Sequence, residues 1–284
     1  MNTAPQPVGR LGDTPDRDYS HKLRLFNAMA EAELRAAIDS LHLSSGMRVL
    51  DAGCGTGETL GWLAAAVDPD GLAVGIDLAT NHLRVARAAL PPGALLVQSD
   101  LLQTPLVAGS FDLVWSVNTV HHLRDPAAGA RALAALLRPA GRLALGQSSL
   151  LADMYFAWDA RLERVTTEAV RAYYRDRYLL SEQDLTAVRG LLGLLQDAGL
   201  CGITIRTFVI ERLAPLDPRA HAWLLEAIFR ATWGDRLKPY LSSADHEELQ
   251  RLCDPQHPSF ALRRPDFHFV QTFTLAVGTC GDRR

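Results

Sequence analysis

The sequence predicts a doubly wound α/β fold, with a mostly parallel sheet of seven strands, the last one antiparallel, and helical cap insertions. Three observations carry this expectation. Short apolar runs alternate with helix-period segments between Met47 and Gly146, the pattern of a parallel sheet covered on both faces. The first run, Met47 to Asp51, enters a turn with glycines at 53, 55 and 57 and then a helix-forming stretch. Acids close three successive runs at Asp51, Asp77 and Asp100, the edge at which open α/β sheets bind ligands.

The elements follow in chain order. Residues 1–18 hold three prolines, two glycines and few large apolar groups, and are expected to form a flexible tail. From Tyr19, the residues Leu23, Phe26, Ala30, Leu34, Ile38 and Leu41 recur at helical spacing and predict a lid helix within 19–46. Residues 47–149 form the expected core, with strands at 47–51, 72–77, 94–98, 111–117 and 141–147 and helices at 59–67, 80–90 and 127–137. A helical pair is expected at 150–180, and Ser181-Glu182-Gln183-Asp184 offers a capping box before a helix ending at Gly199. A strand at 201–211, a second helical insertion within 213–262 and an alternating final strand at 268–277 complete a single domain over 19–284.

Composition narrows the function. With 48% hydrophobic and 21% charged residues, the 284-residue chain reads as an ordinary globular protein. A net charge of −3 and the lack of any long Lys/Arg run argue against nucleic acid as a partner. Cys54, Cys201, Cys253 and Cys280 form no C-x-x-C pair, so no metal site is expected and reduced thiols in the cytoplasm fit best. No stretch has the length and apolarity of a membrane span.

The turn Asp51-Ala52-Gly53-Cys54-Gly55-Thr56-Gly57 spaces its glycines G-x-G-x-G, where a dinucleotide fingerprint would read G-x-G-x-x-G. A carboxylate beside it would repel a pyrophosphate and could pair with a ligand ammonium. A tight βα turn without ligand is the plainer alternative. Asp77 ends the second strand about twenty residues on, where an acid accepts from ribose hydroxyls; capping the next helix is its alternative role.

These residues resemble the class I S-adenosylmethionine-dependent methyltransferases, in particular the small-molecule branch of type 11 methyltransferases. The likeness runs from about Arg48 to Gly146. It includes Val49-Leu50-Asp51-Ala52-Gly53-Cys54-Gly55-Thr56-Gly57, Gly75-Ile76-Asp77-Leu78, Gly109-Ser110-Phe111-Asp112-Leu113-Val114, His121-His122-Leu123-Arg124-Asp125-Pro126 and Leu137-Arg138-Pro139-Ala140-Gly141-Arg142-Leu143. The resemblance implies a Rossmann-like sheet that binds S-adenosylmethionine and releases S-adenosylhomocysteine. It implies that Asp51, Gly53, Cys54, Gly55 and Gly57 hold the methionine moiety, Asp77 and Leu78 the ribose, and Asp100 and Leu101 the adenine. It also implies that Asn118 lies beside the reactive methyl and that Tyr19, in the lid segment, reaches the cofactor carboxylate. Two departures stand out: Ala140 replaces the first glycine of a Pro-Gly-Gly turn, and His82 replaces an apolar neighbour of the adenosine.

Methyl transfer from a sulfonium relies on positioning, and a general base is optional. His121 and His122 are the candidate bases, because an unperturbed imidazole titrates near working pH, and Asp125 could orient one of them. Packing for one histidine and solvation for the other is the plainer reading. Arg161, Arg164, Arg171 and Arg175 share one helical face and could hold an anionic acceptor, or form a solvated face with the interleaved acids. The expected acceptor is a small hydrophobic or ring-containing metabolite, and the expected assembly is a monomer or homodimer. A scaffold that binds the cofactor and catalyses a cyclisation or rearrangement is the alternative, with a nicotinamide oxidoreductase further behind.

Overall fold

The structure is a computed structural model that describes residues 9–11, 13–91, 94–149, 153–155, 159–181 and 187–281. The capping box at Glu182 to Asp184 and most of the tail at 1–8 lie outside the described residues.

Five parallel strands form the body of the sheet in the order β3-β2-β1-β4-β5. They are β1 (Arg48–Ala52), β2 (Leu72–Asp77), β3 (Leu95–Gln98), β4 (Phe111–Val117) and β5 (Leu137–Ser148). β8 (His268–Thr279) runs antiparallel to β5, from Arg142 opposite Thr279 to Ser148 opposite Phe273. The edge strand β7 (Cys201–Leu213) pairs antiparallel to β8. This is the expected doubly wound, mostly parallel sheet with an antiparallel final strand. It also carries an eighth strand, β6 (Asp153–Tyr155), which the sequence reading lacked. β8 extends past the end of β5, and β6 meets its free backbone groups at 268–270.

Side-chain alternation along the strands divides the core between the two faces of the sheet. Val49, Leu113, Trp115 and Ala144 belong to one buried cluster, together with Phe26, Leu34, Leu60 and Phe273. Leu50, Val114, Leu143 and Leu145 belong to the other, with Leu133, Leu136, Leu191 and Leu195. Burial on both faces explains why these strands read as continuous apolar runs.

Helices α3 (Glu58–Val67), α4 (Thr80–Ala89) and α5 (Pro126–Ala135) follow β1, β2 and β4. Asp125 caps α5, accepting from the Ala128 N–H at 2.8 Å, and Pro126 opens its first turn. The lid expected as one helix is two, α1 (Ser20–Met29) and α2 (Glu31–Asp39), broken at Ala30. The expected helical pair of the first insertion is, over its described part, one helix, α6 (Ala160–Tyr178), capped by Asp159 on the Leu162 N–H at 2.8 Å. After α7 (Leu191–Asp197) and β7, the second insertion is built of short pieces. Helix α8 (Pro218–Ala222) runs into a π-helical stretch, Trp223–Trp233, followed by a 3-10 turn at Asp235–Tyr240 and α9 (Ser243–Cys253). Among the described residues no helix is long and apolar enough to cross a membrane.

Candidate functional site

Strand order reverses between β1 and β4, and a cavity of about 190 Å³ opens at the carboxyl ends of the strands there. Asp51, Gly53, Cys54, Gly55, Asp77, Leu78, Asp100, Leu101, Asn118 and Tyr19 all line it, so the sequence-predicted set converges on one place. Gly57 sits just behind, at the start of α3, with φ of 89°.

The turn after β1 is held by its own backbone. The N–H groups of Gly53 and Cys54 both donate to the Ile76 carbonyl, at 2.8 and 3.0 Å. Gly53 has φ of 85°, and a Cβ there would lie 2.2 Å from Thr119 Oγ1. Glycine is therefore required twice over, for the left-handed backbone and for the approach of the β4 loop. The Cys54 side chain is buried beneath the turn, and burial followed by the Asp51 and Asp77 charges pushes its thiol pKa well up. That thiol is inert packing rather than a nucleophile.

Asp51 is 3% exposed, and its Oδ2 is buried without a hydrogen-bond partner among the described residues. Burial, then the charges of Asp77 and Glu58, push its pKa up to about 8. An unpartnered carboxyl aimed into a cavity is a site for a cationic group, and an ammonium would satisfy it.

Asp77 accepts from the Gly55 N–H at 2.9 Å, from the Ala79 N–H at 2.8 Å and from His82 Nδ1 at 3.2 Å. It thus tightens the glycine turn, holds the turn that leads into α4 and faces the cavity at once, while α4 itself has no side-chain cap. His82 is buried, and its Nε2 accepts from the Tyr19 N–H at 3.0 Å. The histidine that departed from the family pattern therefore ties the N-terminal segment to Asp77. Asp100 accepts from the Leu102 N–H at 2.9 Å, which holds the backbone beside buried Leu101 against the cavity wall.

Asn118 has φ of 52°, a conformation that asparagine tolerates better than most residues. Its Oδ1 accepts from the Ser148 N–H at 2.8 Å and its Nδ2 donates to Ser148 Oγ at 3.2 Å, joining the ends of β4 and β5. Strained backbone held by such bonds is common where a ligand is positioned.

The two histidines part company. Their rings lie 4.3 Å apart, yet only His122 lines the cavity. Burial, then the neighbouring His122, drive the His121 pKa well below the ordinary histidine value, which keeps the ring neutral. Asp125, occupied in capping α5, is not the orienting acid. Asp13 is: its carboxylate meets His122 Nδ1 at 3.1 and 3.2 Å. Burial raises the Asp13 pKa, but the His122 hydrogen bond and charge and the charge of Arg17 outweigh it and hold the carboxylate ionised.

Asp13 belongs to the stretch expected as a flexible tail. Residues 13–19 instead run along the cavity, with the Tyr19 hydroxyl donating to Asp13 Oδ1 at 3.2 Å and Arg17 seated 4.2 Å above the Tyr19 ring. The Arg10 N–H donates to the His122 carbonyl at 2.6 Å. Tyr19 is thus at the cavity as expected, with its hydroxyl engaged by Asp13. Asp13, Arg17 and Thr119 are among the lining residues that the sequence reading missed. Of the arginine stripe on α6, Arg161 is paired with Asp245 at 2.6 Å and Arg164 with Glu168 at 3.0 Å. Those two belong to an ion-paired surface.

Comparison with known proteins agrees with this geometry. Residues 50–145 match the family model described as a methyltransferase domain. The chain is 30% identical over 186 residues to the methyltransferase GfsG of Streptomyces halstedii, covering 63% of this chain and 62% of that protein. It is 35% identical over 130 residues to the 27-O-demethylrifamycin SV methyltransferase of Amycolatopsis mediterranei, covering 44% of this chain and 47% of that protein. The matches therefore span about half to three fifths of these relatives' length. Among solved structures, the YcgJ protein of Bacillus subtilis has a TM-score of 0.58 at 16% identity, covering 89% of this chain and 99% of that one, a likeness of fold. Fold, converging residues and the match of residues 50–145 to a methyltransferase domain together make this chain similar to the class I S-adenosylmethionine-dependent methyltransferases.

Proposed function

We propose that this protein transfers the methyl group of S-adenosylmethionine to a small, ring-containing or otherwise hydrophobic metabolite, and that His122 is its general base. The observation that carries the reading is the buried, unpartnered Asp51 carboxyl in the same cavity as the Asp13–His122 pair.

The residues fit the cofactor. Asp51 and the Gly53–Gly57 turn would hold the methionine ammonium and backbone, Asp77 the ribose, and Asp100 with Leu101 the adenine. When bound, S-adenosylmethionine supplies a methyl carbon on a sulfonium, and transfer leaves neutral S-adenosylhomocysteine. The chain's own contribution is position and a proton acceptor. The Asp13 carboxylate accepts a hydrogen bond from His122 Nδ1–H, which fixes the tautomer and leaves Nε2 as the basic nitrogen. Nε2 would accept the proton of an acceptor hydroxyl or amine as its oxygen or nitrogen is alkylated. Arg17 and Tyr19, over the cavity, would exclude water. His121, kept neutral, packs its ring 4.3 Å from that of His122.

The similarity to a methyltransferase named for 27-O-demethylrifamycin SV favours such an acceptor here. The alternative is a scaffold that binds the cofactor and catalyses a cyclisation or rearrangement without methyl transfer. Incubation with methyl-deuterated S-adenosylmethionine and an extract of candidate metabolites, read by mass spectrometry, tests the reading. A labelled product together with S-adenosylhomocysteine is expected. Cofactor binding with neither product across the extract would favour the scaffold.

A further inference from the structure

Beside the cofactor cavity, where the cap meets α1, three cations gather, and of these Arg17 has a carboxylate, Asp13, at 3.9 Å. Lys22 on α1 donates from Nζ to Thr232 Oγ1 at 3.4 Å. That hydroxyl is itself committed, donating to the Ala227 carbonyl at 2.6 Å. Arg17 reaches the Tyr178 hydroxyl at 3.5 Å, and Arg236 lies 5.2 Å above the Tyr173 ring. The rings of Tyr173, Tyr174 and Tyr178 join these cations, with centroids 5.6 to 6.4 Å apart.

The electrostatics are those of an unfinished site. The Lys22 ammonium is lowered from its ordinary pKa by burial, then by Arg236 and Arg17, and no carboxylate among the described residues offsets them. The nearby acids are engaged elsewhere. Asp13 is shared between His122, Tyr19 and Arg17, Glu226 pairs with His21 at 2.6 Å, and Asp176 accepts from the Tyr240 hydroxyl, which leaves Lys22 and Arg236 without a carboxylate of their own among the described residues. A half-buried cation near two others costs stability unless an anion completes the set. Selection would not leave such a group without a use, since a neutral residue would pack there at lower cost.

From this geometry we propose that Lys22, Arg17 and Arg236, with the tyrosines of α6, form the subsite for an oxyanion carried by the methyl acceptor, a carboxylate or phosphate on an aromatic or similarly flat body. The inference rests on the methyltransferase reading and adds a substrate class to it. Arg17 is the hinge between the two sites, because it lines the cofactor cavity while touching Tyr178. Lys22, Tyr178 and Arg236 lie outside the lining of that cavity, so the subsite sits next to it. Guanidinium and ammonium would bind the oxyanion, and the tyrosine faces and hydroxyls would bind the ring. The anionic-acceptor role considered for the α6 arginines thus moves to cations that the sequence did not group, contributed by the N-terminal segment, α1 and the 3-10 turn at Asp235–Tyr240.

The experiment uses the full chain loaded with S-adenosylhomocysteine and three probes, benzoate, phenyl phosphate and benzamide, with affinities measured by ligand-observed NMR. At least one of the anions is expected to bind tenfold or more tightly than benzamide, and which anion does so separates carboxylate from phosphate. In Lys22→Met and, separately, in Arg236→Gln, that preference should fall to threefold or less, with affinity for S-adenosylhomocysteine unchanged within twofold. Arg236 is exposed, so its substitution keeps the test valid if the Lys22 variant fails to fold. Equal binding of all three probes, binding of none, or a preference that survives in Arg236→Gln would overturn the subsite. A tenfold loss of S-adenosylhomocysteine affinity in the variants would overturn it too, by assigning the cations to the cofactor carboxylate. Failure of the wild-type protein to bind S-adenosylhomocysteine at all would instead strike the methyltransferase reading.

Discussion

The two walls of the cavity are made in opposite ways. The wall formed by β1, β2 and β3 is assembled from short sequence segments, each a strand end followed by a turn, and its contacts are largely backbone. The Gly53, Cys54 and Gly55 N–H groups all bond to β2, to Ile76 or to the side chain of Asp77. The facing wall is assembled from residues far apart in the chain. Asp13 meets His122 across 109 positions, and Arg17 meets Tyr178 across 161. The first wall can hold a cofactor with little help from elsewhere, whereas the second exists only when the N-terminal segment is in place. Chemistry specific to the acceptor is therefore exposed to changes in that segment, and cofactor binding is buffered from them.

Substitutions can sharpen that division. The largest expected effect is His122→Ala, which should lower kcat by about 10²–10⁴-fold, the usual worth of a general base, with S-adenosylhomocysteine affinity nearly unchanged. Asp13→Asn should lower kcat by roughly 10- to 100-fold through loss of the imidazole's orientation, a smaller loss than removing the base itself. An affinity loss in step with kcat in either variant, measured by calorimetry, would mean that both walls bind the cofactor.

On the other wall, Gly53→Ala should weaken S-adenosylhomocysteine by about 100-fold or more, because its Cβ would displace Thr119 and strain the turn. Asp51 gives a pH test with a definite sign. Its folded pKa of about 8 lies above the unfolded value, so the group costs stability above the unfolded pKa, and the cost levels off above about 8. Binding of an ammonium ionises Asp51, so S-adenosylhomocysteine affinity should fall as pH drops below about 8, by up to roughly tenfold per unit. Asp51→Asn should raise the Tm of the free protein at pH 7 while weakening binding and flattening that pH dependence. A flat wild-type profile would show that Asp51 does not meet the ligand cation. The smallest effect lies outside the cavity. Ala140 holds φ of 60°, and Ala140→Gly should stabilise the protein by about 1 kcal/mol, read as a rise in Tm.

The same division explains what the sequence disclosed. The strands of the core and their terminal acids were legible because apolar runs, glycine spacing and acids all fall within about fifty residues. Asp13 was missed because its segment is poor in apolar groups, and its order comes from partners on β4's loop and on α4 that no local pattern carries. The break between α1 and α2 falls at Ala30, where neither glycine nor proline announces it. The stretch at Trp223–Trp233 is π-helical and packs against α1, including a 5.3 Å contact of Trp223 with Phe26, and its sequence pattern carries no sign of the wider helix. Of the histidine pair, only His122 lines the cavity and meets Asp13, and both are tertiary properties.

The most direct test is the crystal structure of the protein with S-adenosylhomocysteine. The expected result has the methionine ammonium at Asp51, the ribose at Asp77 and the adenine at Asp100 and Leu101, with residues 13–19 closed over the ligand and Asp13 still on His122. A ligand bound in another orientation, or residues 13–19 withdrawn and His122 turned from the cavity, would contradict the division of labour between the two walls.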